Sequence, residues 1–137
     1  MNSNPEEKSK EKEISTSIEP WLIFQDVVKA LEFYKNAFGA LETYRLENPD
    51  AGLVVKLTVH GANFWLSSGD NSADHSEALG GNNLRLILVV SNPYIIFSKA
   101  ISAGAKEIFP VGEDYGWVLG RIQDPFGLHW EIGHPMD

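Results

Sequence analysis

The chain has 137 residues, 43% of them hydrophobic and 11% aromatic, and it contains no cysteine. Eleven Lys and Arg stand against 19 Asp and Glu, a formal net charge of −8. The length suits one domain; the missing cysteines exclude disulfides, zinc–thiolate sites and thiol nucleophiles; the acidity argues against nucleic acid or an anionic membrane as partner.

Residues 1–16 hold four acids, three bases and one large apolar residue, Ile14, so they offer no stripe to bury and are expected to be a disordered tail. The charged N-terminus has no apolar run of the kind a secretory signal needs, and the longest such run, 86–90, is too short to cross a bilayer. A cytoplasmic location is therefore expected. Residues 17–137 are expected to form one domain.

The run EPWLIF (19–24) reads as a strand with Pro20 near its start, where a missing N–H is tolerated. Asp26 is a helix N-cap candidate, and Val27, Val28, Leu31, Tyr34, Ala37 and Phe38 recur near helical spacing before Gly39 ends the helix. A short strand over 41–46 follows, then a turn around Asn48, Pro49, Asp50 and Gly52. Residues 52–59 alternate as a half-buried strand should, 61–63 turn, and 64–67 form another strand. The polar stretch 68–82 reads as a linker or a loop over a site.

The same order then returns: a strand over 83–90, a helix capped by Ser91 or Asn92 and ended by Gly104, strands over 108–111 and 118–123, a turn at Asp124-Pro125-Phe126-Gly127, and a last strand over 128–133. Asp26 and Asn92 are 66 residues apart, and Gly39 and Gly104 are 65 apart. The pattern predicts an α+β fold of two tandem β-α-β-β-β modules, 17–67 and 83–134, forming a cupped sheet around a cleft with the helices outside.

The string FQDVVKALEFYKNAFGALE (24–42) resembles the opening helix of the vicinal oxygen chelate superfamily, which includes glyoxalase, extradiol dioxygenases and bleomycin-resistance proteins. SKAISAGAKEIFPV (98–111) and GRIQDPFGLHWEIG (120–133) resemble its second half, and the AFGA, AGA and DPFG-x-x-W elements look most like the PhnB-like branch. The resemblance implies four inward positions that hold a divalent ion in metal-bearing members, and it implies a homodimer. Transferred here, those positions fall on Glu19, Arg85 and Glu131, with the fourth in strand 52–59 best matched by Lys56. Arg85 cannot coordinate a cation, because it stays protonated. The expectation is thus a charge-paired quartet, Glu19 and Glu131 with Arg85 and Lys56, in place of a metal.

Alternation puts His129 and Glu131 on one face of the last strand and Trp130 on the other, and it gives Trp21 the face of Glu19. Trp117 follows a turn and is expected to flank the mouth of the pocket. Trp21 and Trp117 would stack on a planar or cationic small molecule, while Arg85 would engage an anionic group. Plainer readings stand beside these: a rim carboxylate for Glu131, an Arg85 reaching solvent, the wet face of a sheet for Lys56, and core packing for any one ring. His60 reads as a turn residue, His75 as a loop residue, and His134 as uninvolved.

The leading expectation is a metal-independent small-molecule binding protein of the bleomycin-resistance type, without cofactor. The alternatives are a lyase, isomerase or dioxygenase using Zn, Ni, Fe or Mn, with Glu19, Glu131 and a histidine such as His60 or His129 as ligands, or a non-catalytic structural module.

Overall fold

The structure is a computed structural model and describes residues 17–49, 52–69 and 84–136. The expected tail, nearly all of the expected linker, and Asp50 of the first turn lie outside the described residues. The elements run β1 (Trp21–Phe24), α1 (Val27–Phe38), β2 (Leu41–Asn48), β3 (Gly52–Val59) and β4 (Ala62–Ser68), then β5 (Leu86–Val89), α2 (Pro93–Ser102), β6 (Lys106–Asp114), β7 (Trp117–Gln123) and β8 (His129–Pro135). They form two four-stranded sheets with orders β1-β4-β3-β2 and β5-β8-β7-β6. In each sheet the first strand pairs parallel with the last strand of its module, and the other pairs are antiparallel. No described helix is long and apolar enough to cross a membrane.

Local chemistry sets the helix ends. The Asp26 side chain accepts from the Lys29 N–H at the start of α1, and Asn92 accepts from the Ile95 N–H at the start of α2. Gly39 ends α1 at φ 68°, a left-handed conformation that glycine adopts without Cβ strain. The β3–β4 and β6–β7 hairpins each turn on two successive positive-φ residues, His60-Gly61 and Tyr115-Gly116. Such turns match the twist of the strands they join.

Helix α1 buries more than one side. Ala30, Leu31, Phe33, Tyr34, Ala37 and Phe38 are all buried, because the helix is covered both by its own sheet and by the second module. The Tyr34 ring meets Phe24 and Phe64 of the first module and Trp130 of β8, and Phe38 meets Trp130 with ring centroids 4.9 Å apart. Helix α1 also packs on α2. The modules therefore join through their apolar inner faces. This differs from the sequence expectation of helices on the outside: within one chain the helices lie between the sheets, and each sheet turns its other face outward.

Asp124 ties this junction together. It is 3% exposed. Its Oδ2 accepts from the Tyr34 hydroxyl at 2.6 Å and the Trp130 indole N–H at 2.9 Å, and its Oδ1 accepts from the backbone N–H groups of Phe126 and Leu128. Burial pushes this carboxyl above the usual Asp value, against the pull of those four donors.

Candidate functional site

The outward face of the first sheet carries one row across all four strands: Trp21, Trp65, Lys56 and Tyr44 are successive register partners. Trp65 is its hub. Trp21 stacks on it with centroids 5.4 Å apart and planes 17° apart, Tyr44 meets it edge-on, and the Lys56 ammonium lies 5.2 Å from its ring centroid. Its indole N–H donates to Glu19 at 2.8 Å, while Lys56 sits 3.6 Å from the same carboxylate. The Trp65 hydrogen bond, and after it Lys56, hold the Glu19 carboxyl below its usual value. Trp21 is fixed in turn by donating to the Ser67 hydroxyl at 2.9 Å.

The second sheet repeats the arrangement with different chemistry. Its outward row is Ile87, Glu131, Arg121 and Phe109, each 66 or 65 residues after its counterpart in the first sheet. Arg85, just before β5, pairs with Glu131 at 3.1 Å. Arg121 donates from Nε to Nδ1 of His129 at 3.0 Å, which makes His129 a neutral acceptor with its proton on Nε2. Burial, and then the charges of Arg121 and Arg85, hold the His129 pKa below 6.5. Beside this row, Ile87, Asp114, Tyr115, Trp117, Leu119 and Glu131 line a cavity of about 270 Å³. A larger cleft of about 770 Å³ runs between the modules along Asp26, Lys29, Lys106 and the turn at Pro125, and it holds none of the expected site residues.

The expected quartet forms as two separate pairs. Lys56 meets Glu19 on one sheet and Arg85 meets Glu131 on the other; among the described residues no ion pair or hydrogen bond joins the two. The cause is the inner-face junction, which directs the two outer faces away from each other.

Two register points also change. Arg85 precedes its strand, which begins at Leu86 rather than at residue 83. Lys56 is not the first-module counterpart of Glu131: pairing gives that place to Trp65, and Lys56 instead matches Arg121. Trp65 and Arg121 are thus the site residues that the sequence reading missed. The signal that finds them is the 66- or 65-residue offset from Glu131 and Lys56.

The donor set at the positions implied for a metal is poor. Two carboxylates stand with an arginine, and the remaining place holds a tryptophan, which has no lone pair to offer. Among the described residues no three His, Asp or Glu side chains come together in a metal-holding group, and neither His60 nor His129 completes one.

Comparison with known proteins bears on most of the chain. The family model of the Glyoxalase/Bleomycin resistance protein/Dioxygenase superfamily matches residues 17–132. The chain is 31% identical over 132 residues to the uncharacterized protein Mb0911c of Mycobacterium bovis, covering 90% of this chain and 86% of that one. The crystal structure of the Arabidopsis thaliana At5g48480 product superposes with a TM-score of 0.65 at 24% identity, over 88% of this chain and 100% of that one. A glyoxylase/bleomycin resistance protein/dioxygenase domain from Frankia sp. EAN1pec gives 0.74 at 16% identity, over 89% and 98%. At these identities the structures speak to the fold alone.

Proposed function

Because the chain belongs to the Glyoxalase/Bleomycin resistance protein/Dioxygenase superfamily, we propose that it is a small-molecule binding protein that works without a metal ion, its site shared between two copies. The observation that carries this reading is the pairing on the outward faces. Of the positions implied for metal ligands, Glu19 is paired with the neighbouring Lys56, Glu131 is paired with Arg85, and the last holds Trp65, on which Trp21 stacks. Lys56 and Arg85 there repel a cation, while stacked indoles and half-buried charges suit an organic ligand. A sequestering or resistance-type role is the one that membership of this superfamily suggests for such a binder. The DPFG-x-x-W, AFGA and AGA elements favour the PhnB-like branch.

Two copies are proposed because both outward faces leave large apolar side chains in water. Trp21 is 51% exposed, Ile87 54% and Val89 58%, with Ile23, Tyr44 and Leu46 also exposed. A second copy would cover them by setting the first sheet of one chain against the second sheet of the other, closing a cleft between the two pairs. The acidity of the chain keeps nucleic acid and anionic membranes out of the proposal, and the cytoplasm is its proposed location.

The test combines a tryptophan-quenching screen of small aromatic acids, amines and phenols with sedimentation of the protein carrying a hit. Quenching is expected, with bound ligand moving on a species of twice 15.2 kDa. A ligand-bound monomer contradicts the shared site, and no quenching across the panel contradicts the binding.

A further inference from the structure

We propose that the outward face of the second sheet binds the carboxylate of a single-ring organic acid on the guanidinium of Arg121. This rests on the binding reading above and names the ligand class for one half of that site.

Arg121 is half-buried on β7, and among the described residues only its Nε is engaged, by the neutral His129 acceptor. Among the described residues no carboxylate pairs with it. Glu131 stands directly across on β8, yet its carboxylate goes to Arg85. The cluster thus holds two guanidinium charges against one carboxylate, with a planar fork of donors left over. That fork matches a carboxylate in two parallel hydrogen bonds.

The neighbouring cavity sets the size of the ligand. Trp117, Leu119 and Arg121 share one face of β7, so Arg121 stands next along that face to the cavity of about 270 Å³ whose wall includes Trp117 and Leu119. Ile87, Trp117 and Leu119 give that wall apolar and aromatic surface for one ring. Glu131 and Asp114 also line it, so the part of the ligand that enters the cavity is uncharged, and a second anionic group there is repelled.

The experiment follows the ring signals of His129 by NMR in the full-length protein, assigned with His129→Gln, while benzoate is titrated in. The groups facing His129 are Arg121, Arg85 and, more weakly, Asp124. A carboxylate bound among them favours the imidazolium, so benzoate is expected to raise the His129 pKa. Arg121→Gln is expected to weaken benzoate binding by about tenfold or more, the loss of a charge-assisted pair, with an unchanged melting temperature. If Arg121→Gln unfolds, Arg121→Lys keeps the charge without the fork and is expected to bind between the two.

An unmoved His129 pKa at saturating benzoate, or wild-type affinity in Arg121→Gln, overturns the proposal. Phenol and benzamidine separate it from the reading beneath it. If they quench tryptophan fluorescence and benzoate does not, the carboxylate site is wrong while the binding protein stands. If no ring compound binds, both are wrong.

Discussion

Replacing Asp124 by alanine is expected to cost about 4 kcal/mol of stability, which for a chain of this size lowers the melting temperature by about 10–15 °C. The reason is the number of donors that share one acceptor. The Tyr34 hydroxyl, the Trp130 indole and the N–H groups of Phe126 and Leu128 all lose their partner at once, in a place that is nearly closed to water. Tyr34 belongs to α1 and Trp130 to β8, so the loss loosens the joint between the modules. Tyr34→Phe is the control. It removes a single hydrogen bond and keeps the ring that packs on Phe64 and Trp130, so about 1 kcal/mol is expected. Thermal melts that place the two variants together would contradict this role for Asp124.

Gly133→Ala is expected to destabilise by about 3 kcal/mol or more, through overpacking. A Cβ at Gly133 would stand 2.0 Å from the Val118 carbonyl oxygen and 2.8 Å from the Leu119 Cα. Both are backbone atoms of β7, so no side chain can move aside; the strands must separate. Gly112→Ala is the matched control, because nothing lies within 4 Å of a Cβ there and its φ is ordinary. That change is expected to stay within about 0.5 kcal/mol. Equal melting temperatures for the two variants would show that β7 and β8 can part at Gly133 without loss.

The legible parts of the fold were the local ones. Asp26, Gly39 and the spacing of Val27 to Phe38 define α1 within one segment, and the alternation of 52–59 defines β3 end to end. Strand β6 read as 108–111 but spans Lys106–Asp114. It is an edge strand containing Pro110 and Gly112, with register shifts against β7, so its local signal is weak and its length comes from pairing. The inner placement of the helices was also written in α1, whose apolar residues cover too wide an arc for one contact, but which surface covers the second side is a tertiary matter.

The candidate site was legible where a local landmark existed. Glu19 and Arg85 lie seven residues before the helix caps Asp26 and Asn92, and Glu131 follows the DPFG turn. Lys56 has no such landmark. An alternating strand looks the same after a shift of two residues, and only pairing with β4 shows that Trp65 is the counterpart of Glu131. Arg121 lies in GRIQ with nothing beside it to mark it, and its chemistry comes from His129 on the next strand.

The most direct test of metal-free binding is the metal content of protein purified without chelator, read together with ligand affinity before and after EDTA treatment. No stoichiometric Zn, Ni, Fe or Mn is expected, and the affinity is expected to be the same in both states. A stoichiometric metal that disappears in Glu131→Ala, or ligand binding that EDTA abolishes and added metal restores, would contradict it.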